Sequence, residues 1–508
     1  MLDVQRKRIA PRAGGAPGIF AASLLLIMSA ALGCRETIVV PRKPLEGITV
    51  TVACPTPVLE AMVTAYSKPW LQKTGARLKT VQYDRLTRSP TSADAWIVAP
   101  ADLGSFAAAG QLLPLGEGAL KVDDDYGWLQ LLPLYRNKLL PWDGHIFALP
   151  LLGGAPLCYY RLDLFQDPAN QKNFKTKYGR PLAPPSTWDE YLDIAVFFSG
   201  KERPHADPPF ASLPPLPSGD ELLDFEFESI AAPLARRAAR EDQSPPPGEN
   251  DLFSFLYDIR TLEPRVATPG FVEALRLLEK LQPHRAAGAV SEPATAFGSG
   301  QAVLCLAGTE WVAKFEEEGS RIRGRFGVAR LPGSRRVYDY RTGKVHESSE
   351  PNFVPYLGSS GWLGVVPQSS ASPEAALGLL ADLSGPRMSG EILFDPAWPG
   401  GVFRRDHFHL LEAGDPFGLG PARERAWVEA LRETLTPRTV NPVIALRTPD
   451  RRDYIQVLVE EVRSACLQKK DPQQAMDAVA KRWREMDSKK DERTRRTAYL
   501  NSLNLRTQ

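Results

Sequence analysis

The stretch from Gly47 to Pro100 switches its hydrophobic period several times in quick succession. That rhythm limits the fold more than any other feature. "GITVTVAC" (47–54) is rich in β-branched residues and stops at Pro55, as a buried strand does. "PVLEAMVTAYSKPWLQKTG" follows, with Val58, Met62, Ala65 and Tyr66 on one helical face and Gly75 as its stop. "ARLKTVQYD" and "ADAWIVAP" read as two more strands, and "DLGSFAAAGQLLPL" opens a short helix that ends near Gly110. Strands separated by helices pair in parallel, because a parallel pair needs a crossover and an antiparallel pair only a turn. The predicted fold class is α/β, with a parallel sheet covered on both faces.

The chain has 508 residues, more than one core usually holds, so two or more bodies are expected. "HIFALPLLGGAPLCYYRLDLF" (145–165) begins as a strand, breaks on Gly153, Gly154 and Pro156, and resumes at Cys158. The break is either a loop between neighbouring strands or a crossing from one body into a second. Downstream, Thr187 with Glu190 makes a capping box, and Tyr191, Ile194, Ala195 and Phe198 form a buried stripe. Thr268-Pro269 opens another helix, and "GQAVLCLAGTEWVAKF" is a strand turning into a helix. "WLGVV" is a strand, followed by a helix from Ser372-Pro373. "YIQVLVEEVRSACL" and "DPQQAMDAVAKRW" are late amphipathic helices. The proline-rich stretch 200–219 reads as loop, "RRAAREDQSPPPGEND" as a helix end and surface loop, and the charged tail after Arg484 as a solvated helix end.

A net charge of +2 gives no electrostatic footprint for nucleic acid. Arg6, Lys7, Arg8 and Arg12 precede an apolar run, Gly18 to Leu32, which is shorter than the ~20 residues a spanning helix needs. This pattern is an export signal. It ends in "SAALGC", which resembles a bacterial lipobox, departing from it at Ala31-Leu32. The resemblance makes Cys34 a lipidated N-terminus and the residues up to 46 a tether. The remaining cysteines form no C-x-x-C pair and sit among apolar neighbours, as buried free thiols do. "HFH" would place His407 and His409 on one strand face, but no third ligand lies nearby, so no metal is expected. No phosphate-binding loop, nucleophile elbow or zinc-protease motif occurs. The expectation is no enzyme and no cofactor.

Taken in order, "AYSKPWLQKTGARLKTVQYD", "ADAWIVAPADLGSFAAAGQLLPL", "GHIFALPL", "YYRLDLF", "PPSTWDEYLDIAVFF", "GTEWVAKF", "GVARLPG", "PYLGSSGW" and "DPQQAMDAVAKRW" resemble the extracellular solute-binding proteins (family 1, sugar-type) of bacterial ABC importers. The resemblance spans most of Gly47 to Met486 and departs in the proline-rich middle. It implies a two-lobed periplasmic-binding-protein fold of type II, with hinge strands between lobes and the ligand in the cleft. Residues 1–33 would be the signal peptide and 34–46 the lipidated tether. Residues 47–150 with 362–403 would be lobe one, and 151–361 with 404–508 lobe two. On this reading Gly153 and Gly154 supply hinge freedom at the first crossing, with others near Pro355–Trp362 and Phe403.

Sugar sites combine hydrogen-bonding groups with aromatic faces, and ligands of such sheets sit at strand ends. The candidates are Tyr83, Asp84, Thr309, Glu310, Trp311, Gly361, Trp362, Trp398 and Arg404. Trp311 either anchors its helix or faces ligand, Asp84 is either a turn residue or a contact, and Trp188 is core. The expected partners are a sugar or oligosaccharide, ABC permease subunits and a membrane reached through the lipid anchor. The chain is expected to be an exported monomer facing the periplasm or cell exterior. Two alternatives stay open: a ligand-sensing lipoprotein, and an exported glycan-active enzyme, for which Asp84 with Glu310 is the one carboxylate pair to nominate.

Overall fold

The structure, a computed structural model, describes residues 43–505 except 86–89, 91, 117–124, 200–209, 241, 243, 245, 399 and 400. The export signal and Cys34 lie outside the described residues.

The first sheet has five strands in the order Arg77–Gln82, Thr49–Cys54, Ala95–Val98, Trp362–Val365, Ala148–Leu152. The first three pair in parallel, as their intervening helices require. Trp362–Val365 pairs antiparallel with both its neighbours, so the sheet is mixed. The second sheet is antiparallel and has three strands, Leu304–Gly308, Pro156–Arg161 and Phe326–Arg330.

The chain leaves the first sheet at Leu152 and enters the second at Pro156. Here Gly153 bridges Gly401, and Gly154 donates its N–H to the Tyr135 hydroxyl at 3.2 Å. Neither Gly153 nor Gly154 has the positive φ that favours glycine. What they provide is space. A Cβ on Gly153 would stand 2.5 Å from the Gly401 oxygen, and one on Gly154 would stand 2.7 Å from the Gly361 nitrogen. Gly361 does carry a positive φ, +91°, and packs against the Leu152 oxygen and the Gly154 nitrogen.

Strand Pro156–Arg161 faces two cores, because side chains alternate along a strand. Leu157 and Tyr159 join the core of the five-stranded sheet, together with Phe297, Phe315 and Phe326. Cys158 and Tyr160 join a second core with helices Trp188–Phe198, Asp220–Ala235, Pro269–Leu281, Arg451–Cys466 and Pro472–Asp487.

Several local expectations change. In helix Pro57–Tyr66 the buried residues are Leu59, Met62 and Val63, while Val58 is exposed, so the buried face is rotated from the predicted one. The chain around the two histidines is helix Arg405–Glu412, which buries His407 and exposes His409, so they do not share a strand face. The charged tail forms a further helix, Glu492–Ser502, whose Tyr499 is buried against Tyr257. Glu190 accepts from the Ser186 N–H rather than closing a box on Thr187, although Thr187 does cap the Glu190 N–H. Cys54, Cys158, Cys305 and Cys466 are buried free thiols. Among the described residues no helix is long and apolar enough to cross a membrane.

Candidate functional site

A cavity of about 150 Å³ opens at the ends of strands Pro156–Arg161 and Leu304–Gly308. Its walls include Tyr191, Phe225 and Trp311 as aromatic faces and Glu221, Glu226, Arg285, Glu292, Glu310, Ser359 and Ser360 as polar groups. The lining comes from residues 156–360, hence from the side of the second sheet.

One wall is helix Asp220–Ala235. Leu223, Phe227 and Ile230 recur at i, i+4 and i+7 and fix its core side. Leu222, Phe225 and Glu226 then fall on the cavity side. Glu226 pairs with Arg285, and both side chains are over nine-tenths buried (9 % and 6 % exposed). Pairing is what makes that burial tolerable, since an isolated charge there would be very costly. Glu221 is exposed and takes two hydrogen bonds from Arg85, at 2.7 and 2.8 Å.

Glu292 and Glu310 have no ion-pair partner among the described residues. Burial pushes the Glu310 carboxyl above its usual range, and the nearby Glu292 adds to the effect. Its own backbone N–H and Lys314 oppose the rise. Burial likewise raises Glu292, against the Ala294 N–H and Lys314. The Lys314 ammonium itself rests over the Trp311 ring, 4.4 Å from its centroid. The Cys305 thiol at the wall is held far above its usual value, first by burial.

The sequence-predicted residues divide sharply. Glu310 and Trp311 line the cavity. Thr309 is buried beside it, its N–H bonded to the Ala155 oxygen at 2.9 Å and its hydroxyl accepting from Trp427 at 3.3 Å. Trp362 is half-buried, with the Arg85 guanidinium 5.5 Å from its centroid, and only the preceding Ser359 and Ser360 reach the lining. Tyr83 is a core residue whose hydroxyl donates to the Ile97 oxygen at 2.6 Å. Asp84 is exposed and, unlike Glu310, does not line the cavity. Trp398 packs on the first core and does not line the cavity. Arg404 is fully buried and donates to the carbonyls of Ser384, Tyr126 and Gly127, so it is a structural cation rather than a contact.

Sequence reasoning missed Glu221, Phe225, Glu226 and Arg285. The signal for the first three was present in "DELLDFEFESI", a helical stripe with an acidic first turn, but it stands beside proline-rich flanks.

A second cavity, about 290 Å³, lies among Tyr257, Tyr454, Tyr499 and the ends of the last helices. Its carboxylates are already neutralised, Asp450 by Lys490 and Asp487 by Arg495. The strand-end cavity, with its convergent polar groups, is therefore the better candidate.

Residues 72–388 match the family profile described as bacterial extracellular solute-binding protein. No curated protein matches the sequence. Among solved structures, a solute-binding protein of an ABC transporter from Agrobacterium radiobacter K84, in complex with ribitol, is 18 % identical with a TM-score of 0.62. That likeness covers 87 % of this chain and 100 % of the other. Maltose-bound MalE3 of T. maritima is 16 % identical with a TM-score of 0.60, over 86 % of this chain and 100 % of the other. The sugar-binding protein MalE of Xanthomonas citri has the same identity, 16 %, and a TM-score of 0.60, over 87 % and 98 %. These likenesses establish the mixed α/β periplasmic-binding-protein fold. The chain belongs to the bacterial extracellular solute-binding protein family, a family of binding proteins rather than enzymes.

Proposed function

We propose that the protein is an extracytoplasmic lipoprotein, anchored through Cys34, that captures a carbohydrate-type ligand and delivers it to the permease subunits of an ABC importer. Residues 47–150 with 362–403 act as one lobe and 151–361 with 404–508 as the other. The observation that carries this reading is the strand-end cavity, where Tyr191, Phe225 and Trp311 offer ring faces beside carboxyl, guanidinium and hydroxyl groups. A sugar presents C–H faces and a rim of hydroxyls, which this mixture suits. Ligands named for structures of the same fold, ribitol and maltose, are polyols and sugars. At about 150 Å³ the cavity is smaller than the roughly 300–1,000 Å³ of most ligand pockets, which favours a single sugar-sized unit.

A thermal-shift screen against monosaccharides, polyols and oligosaccharides tests this. A ligand at ~100 times its Kd adds about 2.7 kcal/mol to the folded state. The expected hit raises the melting temperature of the native chain and loses most of that shift in Trp311→Ala. If no carbohydrate raises the melting temperature, or Trp311→Ala binds the hit unchanged, the reading fails.

A further inference from the structure

Besides the shared apolar core, two polar contacts of opposite character join the halves of the molecule that carry the two sheets. The first kind is buried. Arg447 is fully buried and donates to the carbonyls of Lys138, Leu139 and Pro141, the last at 3.0 Å. It cannot leave without stranding buried polar groups, so this contact is permanent.

The second kind is ionic and reaches solvent. Arg85 follows strand Arg77–Gln82 of the first sheet. Its guanidinium makes the two bonds to Glu221, at the start of helix Asp220–Ala235, and a third to Asp102 at 3.1 Å. Asp102, on the side of the first sheet, also accepts from Arg452 at 3.3 Å, in the first turn of helix Arg451–Cys466. The Arg85, Glu221 and Arg452 side chains are 26 %, 51 % and 36 % exposed, while Asp102 is buried at 5 %. Arg451 stands 3.8 Å from the same Glu221, so the carboxylate keeps a cation when Arg85 leaves.

We propose that Arg85, Asp102, Glu221 and Arg452 form an ionic clasp that opens and closes across the cleft, while Arg447 and the glycine crossing act as the fixed pivot. The Arg85–Glu221 pair is the breakable member, because a solvent-reaching ion pair is screened by salt and moves an equilibrium by only about two- to fivefold, whereas buried Asp102 keeps Arg452 when Arg85 leaves. Glu221 also lines the cavity, so any molecule entering it meets one tooth of the clasp. Occupancy of the cavity and closure of the clasp are then linked, and each favours or opposes the other by the same factor. The link to a ligand rests on the solute-binding reading above; the clasp itself does not.

The test uses the full chain without ligand. Nitroxide labels on Lys73→Cys and Lys175→Cys, exposed positions on the two halves, report the distance between them by pulsed electron resonance. The parent protein is expected to lose short-distance population as NaCl rises from about 0.02 to about 0.5 M. Arg85→Ala should shift the short-to-long ratio about two- to fivefold toward long distances at low salt and remove most of the salt dependence. Arg85→Lys, which keeps the charge beside Asp102 and Glu221, should retain most of the short distances. Identical distributions in parent and Arg85→Ala at both salt concentrations would overturn the clasp, as would an Arg85→Lys protein as open as Arg85→Ala. Failure of every carbohydrate to bind would refute the solute reading and leave this result standing.

Discussion

Gly154→Ala isolates the demand for space at the crossing. The added methyl would stand 2.6 Å from the Ser360 carbonyl carbon and 2.7 Å from the Gly361 nitrogen. Both are backbone atoms, and an ordinary contact would be about 3.5 Å or more. The segments must therefore separate by most of an ångström. Rotating a side chain does not relieve this. Overpacking of this sort costs about 1–3 kcal/mol. Against it stands the lower unfolded-state entropy of alanine, worth about 0.4–1 kcal/mol. The net expectation is a loss of about 1–2 kcal/mol, read as a lower urea midpoint with an unchanged slope. Gly219→Ala is the control, since Gly219 has no positive φ and nothing within 4 Å of a built Cβ. It should be neutral or slightly stabilising. If Gly154→Ala is as stable as Gly219→Ala, close backbone approach is not why glycine stands there.

Three further outcomes are expected. Asp224 and Glu228 are buried together near Arg451 and Tyr356, and burial pushes Asp224 up to about 6, with Glu221 also raising it and Arg451 opposing. A raised carboxyl means that the folded chain holds its proton more tightly than the unfolded chain. This contribution is therefore full below about pH 4 and is lost as pH climbs to about 6. Asp224→Asn should flatten the decline in urea stability over that window by roughly 1–3 kcal/mol, and an unchanged slope against pH would refute the assignment. Arg404→Ala should cost about 3 kcal/mol or more, because three carbonyls lose their buried donor, while whatever fraction folds binds ligand normally. Weakened binding at full stability would return Arg404 to the site. Cys34→Ala should release the protein from membranes without altering ligand affinity, and persistence in the membrane after a carbonate wash would refute a lipid anchor.

The parallel strands at 49–54 and 95–98 were legible as β-branched or apolar runs, and the edge strand 77–82, none of whose residues is buried, by its place just after the helix stop at Gly75. So were the helices beginning at Pro269, Pro373 and Pro472, each marked by proline in its first turn. The helix Asp220–Ala235 was not, since five acids and an internal Pro233 mask its stripe when it is read one residue at a time. Four of those acids meet cations from distant sequence, Asp220 with Arg463, Glu221 with Arg85, Glu226 with Arg285 and Asp224 with Arg451. The same lack of distant context misplaced Arg404 and Tyr83. A cation or phenol at a strand end looks available until the chain that buries it is known. The place of Glu310 and Trp311 at a strand end was legible because a turn between a strand and a helix needs no long-range information to lie at a sheet's edge.

The position of strand Trp362–Val365, wedged between Ala95–Val98 and Ala148–Leu152, also bears on how the molecule is made. Until that strand is available, roughly 200 residues after Leu152, both neighbours have an unpaired edge with free N–H and C=O groups. The amino-terminal half therefore cannot finish its sheet as it emerges during synthesis. Closing so long a loop is entropically costly and slow, and open edges are sites where chains stick to one another. A chain built this way leaves its first sheet open through the synthesis of those intervening residues, and the sheet closes only when the fourth of its five strands arrives.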